Sequence, residues 1–207
     1  MEQYVWKPQG IALHEQAKVG DIYQAFKLYV MPGLNNSDWI EDSKPVTDTG
    51  MRMREWAGLV LHALSLADLT KDTILIGKDF TGGDGVLMKT IGKRNYGVYV
   101  EQTLVTHRAH ADLMTGIEER LKAKSDKGEG YSENKHLVIW LNINGDLIPN
   151  DLAPIIAKYD FNIVNIIGFN SANRTYSCYL YDRSKIKAPI HQFNIVEKDL
   201  VDKALET

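Results

Sequence analysis

Several things are scarce in this chain of 207 residues, and each scarcity narrows what it can be. It has one cysteine, Cys178, so an internal disulfide and a Cys/His zinc framework are both excluded. The setting this implies is a reducing cytoplasm, with Cys178 a buried structural thiol in the apolar run TYSCYLY. No apolar run approaches the roughly 18 residues of a membrane span. The N-terminus, MEQYVWKPQG, lacks the basic and then apolar order of a secretory signal. Positive charge is not in excess either: the net charge is −3, so no global field announces a nucleic-acid binder, although a basic face can coexist with acids elsewhere. There is no GxSxG elbow, no GK[ST] phosphate loop and no GxGxxG fingerprint.

What remains is an ordinary apolar fraction, enough for a sizeable core. Residues 1–50 read as an N-terminal extension packed on a domain spanning 51–207. Asp21 to Val30 fits a short helix, ended by Pro32-Gly33. The acidic loop 34–50 carries Trp39-Ile40 as an anchor to the core. Residues 51–67, MRMREWAGLVLHALSLA, form the clearest helix. Asp48 or Thr49 is its expected N-cap, and Met53, Trp56, Val60, Ala63/Leu64 and Ala67 are its expected buried stripe. Then follow a short strand TILIG, a glycine-rich turn, the strand GVLMKTI, the basic turn GKRN and the strand YGVYVEQTLV. A helix over 109–124, a loop over 125–134 and the doubly buried strand HLVIWLNI come next. Asp151 is placed to cap a short helix, and FNIVNIIGF and YSCYLY are two further strands before a last helix near 196–205. Helices and strands alternate, which predicts an α/β fold: a single three-layer domain around a central mixed sheet.

The chemistry concentrates between Lys78 and Val105, in KDFTGGDGVLMKTIGKRNYGVYVEQTLV. Alternation puts Tyr99, Glu101 and Thr103 on one face of their strand and Val98, Val100, Gln102 and Leu104 on the other. A carboxylate in an apolar strand is costly unless it is paired or binds a cation, which singles out Glu101. Asp84 opens the neighbouring strand after two glycines, where the backbone admits a close ligand. Two such acids, with water and a phosphate oxygen, form the kind of oxygen-rich site that Mg²⁺ prefers. The alternatives are an ordinary turn acid for Asp84 and a carboxylate paired to Lys or Arg for Glu101. Glu55 is open between the edge of the stripe and an exposed first-turn acid favoured by the helix dipole. Asp79 reads as a surface or capping acid, and His107 and His110 as surface residues at a helix start.

The run of a helix with Glu55, GGDGVL with Asp84, VYVEQT with Glu101 and then a basic helix resembles the PD-(D/E)xK nuclease superfamily. The likeness covers about residues 51–145, and more loosely extends to 181. It implies a restriction-endonuclease-like core, ordered helix, three-stranded meander, helix, strand. It implies phosphodiester hydrolysis with Mg²⁺ or Mn²⁺ bound by Asp84 and Glu101, assisted by Glu55. The chain departs from the motif at Thr103, where the family places a lysine. Gln102 or Thr103 then occupies that neighbourhood, or Lys78, Lys89, Lys122 or Lys124 is recruited to it. The expected partner is nucleic acid, DNA in the first instance, met by Lys93, Arg94, Arg108, Lys122 and Lys124, with Arg120, Lys127 and Arg174 as further cations. A degenerate domain that binds nucleic acid or protein without catalysis is the alternative. A homodimer, or a protein partner docked on residues 1–40 through Tyr4 and Trp6, completes the expectations.

Overall fold

The computed structural model describes residues 19–36, 38–41, 50–78, 84–91, 94–110, 112–128, 130–185 and 187–207, apart from the side chains of 91, 94 and 95. Tyr4, Trp6, Asp48, Thr49, Asp79 and Lys93 therefore lie outside the described residues, as does the stretch beside the boundary expected at residue 50.

The chain is a mixed α/β protein in two compact units, residues 1–100 with 195–207 and residues 101–194. In the first unit, β1 (Val19–Gly20) precedes α1 (Ile22–Tyr29), which Asp21 caps by accepting from the amides of Tyr23 and Gln24. Trp39 and Ile40 are buried, as their anchoring role requires. The central helix, α2 (Met53–Thr70), is buried almost all round, from Met53 through Leu66. The stripe expected from sequence is thus too narrow: a helix buried on every side is an interior helix rather than a surface one. Trp56 of α2 stacks on Tyr29 of α1, ring centroids 4.3 Å apart.

β2 (Leu75–Gly77), β3 (Gly85–Ile91) and the start of β4 (Arg94–Thr106) continue this unit as an antiparallel meander. The register sets Gly85 opposite Val100 and Ile91 opposite Arg94. β3 begins on glycine for a packing reason. A Cβ at Gly85 would collide with the Leu59 side chain of α2, so the strand crosses the helix at a distance only glycine allows. α5 (Glu197–Glu206) closes the unit and packs on α1.

In the second unit, β4 continues from Glu101, followed by α3 (Leu113–Ser125), β5 (His136–Asn142), α4 (Pro149–Ile156), β6 (Ile163–Asn170), β7 (Thr175–Asp182) and all but the last two residues of β8 (His191–Val196). β5 and β6 run parallel, with α4 as the crossover that a parallel pair requires, and β6 and β7 form an antiparallel hairpin. The sheet is therefore mixed, as expected. Its core joins Ile117 and Leu121 of α3, Leu152 and Ile156 of α4, and Leu137, Ile139, Val164, Ile166 and Tyr181 of the strands. α4 starts on Pro149, with Asp151 inside its first turn and not at the cap. β8 was not expected. No helix among the described residues is long and apolar enough to cross a membrane.

Candidate functional site

Glu101 opens the second unit on β4 and is 2 % exposed. Its carboxylate is enclosed by cations and a phenol. Lys124, in the last turn of α3, puts Nζ 2.8 Å from Oε2. The Tyr131 hydroxyl donates to Oε1 at 2.5 Å. Lys135 Nζ lies 3.4 Å from Oε1 and Lys127 Nζ 3.7 Å from Oε2. The last three residues come from the connection between α3 and β5. Lys135 sits 3.5 Å above the centroid of the Tyr131 ring, and Lys127 donates to the Tyr131 oxygen at 3.1 Å.

The local reasons are plain. β4 alternation points Glu101 toward the face that α3 covers. Asp112 caps α3 through the Thr115 amide, and its last turn carries Lys122 and Lys124, the end where the helix dipole favours cations. Lys122 is exposed, whereas Lys124 turns in to Glu101. Burial pushes the Glu101 carboxyl up, but the hydrogen bonds of Lys124 and Tyr131 and the charges of Lys124 and Lys135 outweigh it. The group ionises below its usual range.

Asp84 immediately precedes β3 in the first unit, its amide donating to the Val100 carbonyl at 3.2 Å. Arg54 of α2 feels its charge. Burial pulls that guanidinium below its ordinary range, against the charges of Glu55 and Asp84, and its Nη1 donates to the Ile40 carbonyl at 2.7 Å. Glu55 is buried and works at the start of α2. One oxygen accepts from the Arg52 amide at 2.7 Å and the other from the Arg52 guanidinium at 3.1 Å. It is not an exposed first-turn acid, and Arg52 is the N-cap residue.

Of the remaining candidates, Gln102 is buried and Thr103 half-buried. Lys89 of β3 pairs with Asp72 instead of a site acid. Arg108 is exposed, and Arg94 is described only by its backbone. Arg174 lies 6.0 Å from the centroid of Phe169 in the β6–β7 turn. His107 is exposed, but His110 is not the surface residue expected: it is buried, with Nδ1 3.1 Å from the Thr106 carbonyl and Nε2 3.7 Å from Glu119. Cys178 is a buried thiol outside any disulfide, as expected. Among the described residues no group of three or more His, Cys, Asp and Glu side chains forms a metal cage.

Tyr131 and Lys135 escaped the sequence reading because nothing local links them to position 101, 30 and 34 residues away. No family model, no curated protein and no solved structure matches the chain.

Proposed function

We propose that the protein is a metal-dependent nuclease. It hydrolyses phosphodiester bonds of nucleic acid on a restriction-endonuclease-like core, with Asp84 and Glu101 as its metal-binding acids. The contact of Lys124 Nζ with Glu101 at 2.8 Å carries this reading. The motif asks for an ammonium beside the acid, position 103 offers a threonine, and α3 supplies the ammonium from another element. The order α2, β2, β3, β4, α3, β5 also suits the core's helix, three strands, helix, strand.

Carboxylate oxygens such as those of Asp84 and Glu101 are the donors a hard divalent cation takes. Glu101 is held in its charged form, as oxygen ligation requires, and a carboxylate has lone pairs for more than the two close donors it accepts. A site of few acids is one that Mg²⁺ completes with water and phosphate oxygens. When bound, the metal supplies an activated water and charge stabilisation at the leaving oxygen. The chain's own part is positional. Tyr131 and Lys124 fix the two oxygens of Glu101, and the Lys124 ammonium offsets charge that builds on the phosphoryl group.

A second reading, a binding domain without catalysis, is favoured by one observation: both Glu101 oxygens already hold donors. Incubation of the full chain with labelled single- and double-stranded DNA and RNA, with Mg²⁺, with Mn²⁺ and with EDTA, separates the two. The nuclease predicts metal-dependent cleavage that Asp84→Ala and Glu101→Gln each abolish while the circular dichroism spectrum is kept. Cleavage that survives both substitutions excludes this site. Binding without cleavage, indifferent to metal, selects the second reading.

A further inference from the structure

The cage around Glu101 holds more positive charge than the carboxylate needs. Lys124 alone balances it, and Lys124 and Tyr131 together give each oxygen a close donor. Lys135 and Lys127 stand farther away, at 3.4 and 3.7 Å. Asp126 and Glu133 lie on the same connection, yet among the described residues Glu101 is the one acid with which either lysine is ion-paired. Two surplus ammonium groups thus converge on one aromatic ring. Lys135 is 3.5 Å and Lys127 5.0 Å from the Tyr131 centroid.

Unneeded lysines spread into water, where each charge is better solvated. Here the Lys135 side chain is 21 % exposed and Lys127 45 % exposed, so the first is held in and the second borders solvent. Each ammonium carries three donors, and most of them are uncommitted among the described contacts. Both ammonium groups lie against Glu101, and Lys127 reaches solvent.

We infer that Lys127 and Lys135, over the ring of Tyr131, form a binding site for a phosphate monoester dianion. Charge sets the class. A monoester carries about −1.5 to −2 at neutral pH and matches two ammonium groups. A phosphodiester or a carboxylate carries one negative charge and leaves one ammonium unbalanced. A terminal phosphate of a polynucleotide and free inorganic phosphate share this chemistry. The site needs neither metal nor hydrolysis, so phosphate binding is read independently of cleavage, although Tyr131 and Glu101 also belong to the proposed nuclease centre.

The test uses the full chain without divalent metal, at constant ionic strength. Fluorescence polarisation compares one oligonucleotide bearing a 5′-phosphate, a 3′-phosphate or no terminal phosphate, with inorganic phosphate as competitor and chloride as control. The expected result is a preference of about tenfold for a phosphorylated end, the worth of one or two charge-assisted hydrogen bonds. Inorganic phosphate should displace the probe where chloride does not. Lys127→Gln, at the more exposed position, and Lys135→Gln should each remove the preference, while the exposed control Lys158→Gln keeps it. Thermal stabilisation by inorganic phosphate without any end preference assigns the site to the free ion, provided Lys127→Gln and Lys135→Gln abolish it. Phosphate acting no differently from chloride, or acting equally on the variants, overturns the inference. Phosphate binding by a protein that cleaves nothing overturns the nuclease proposal and leaves this one in place.

Discussion

Tyr131 and Glu101 are 30 positions apart in the chain, and the phenol of one donates to the carboxylate of the other at 2.5 Å. The bond ties the α3–β5 connection to β4 at a buried charge. Glu101→Ala would leave Lys124, itself only 15 % exposed, beside an empty place. Breaking one side of a buried pair is expected to lower stability by about 3–5 kcal/mol. Glu101→Gln keeps the shape and one acceptor, and should lose about 1–3 kcal/mol. Urea unfolding followed by circular dichroism measures both. An unchanged midpoint in Glu101→Ala would mean that the cage adds nothing to stability.

The assignment of Lys124 has a reciprocal test. Lys124→Met is expected to reduce metal-dependent cleavage by about 10²–10⁴, the usual worth of a positioned polar catalytic group. Thr103 follows Glu101 by two residues on the same strand, so it shares its face. Adding Thr103→Lys to Lys124→Met should therefore recover part of the lost rate. Full cleavage by Lys124→Met would remove this lysine from the reaction.

Much of this arrangement was legible in the order of residues, and the exceptions have identifiable causes. β4 could be read from alternation, which also identified Glu101 as an acid in need of a partner. The partner was legible only as a set of lysines, because α3 and its following connection are brought to β4 by packing, which leaves no local signature. β8 was missed although HQFNIV alternates, with Ile195 buried and Gln192, Asn194 and Val196 exposed. Its polar residues and the helix that follows at once hid a short strand. The breadth of burial on α2 was underestimated because Arg54, Glu55, His62 and Ser65 look like a polar face. Arg54 and Ser65 instead bond backbone carbonyls, and Glu55 satisfies the start of the helix.

His136, at the start of β5, predicts a pH dependence of stability. Burial pushes its imidazole down to about 3 from the ordinary value of 6.5. Between those values the unfolded chain holds a proton that the folded chain refuses, so stability falls as pH falls. The slope is about 1.4 kcal/mol per pH unit while the difference is one full proton. Glu101 acts with the same sign in a lower window, since its depressed carboxyl stabilises the fold until pH drops through its folded value. Urea midpoints at pH 7, 6 and 5 should therefore decline less steeply in His136→Asn than in the parent. Parallel declines would assign the loss to other groups.

Gly85→Ala tests the crossing of β3 over α2. The added methyl meets Leu59 and is expected to destabilise the fold by about 1–3 kcal/mol through overpacking. Leu59→Ala opens room at the same point, so the two changes should combine to less than their sum. Additive losses in urea unfolding would show that the two residues do not press on one another.

The split of the first unit between the two ends of the chain has a consequence for biosynthesis. α5 supplies Leu200 and Ala204 as buried residues and packs on α1, which leaves the ribosome some 170 residues earlier. The second unit, continuous from 101 to 194, is made before that partner exists, apart from the last two residues of β8. A nascent chain halted at residue 194 should thus protect the second unit from protease while the face of α1 that α5 covers stays exposed. The interior helix α2 packs on α1, β2 and β3, all made by residue 91, so the late step is the docking of α5 on α1, and the apolar face of α1 is what a chaperone would cover in that interval.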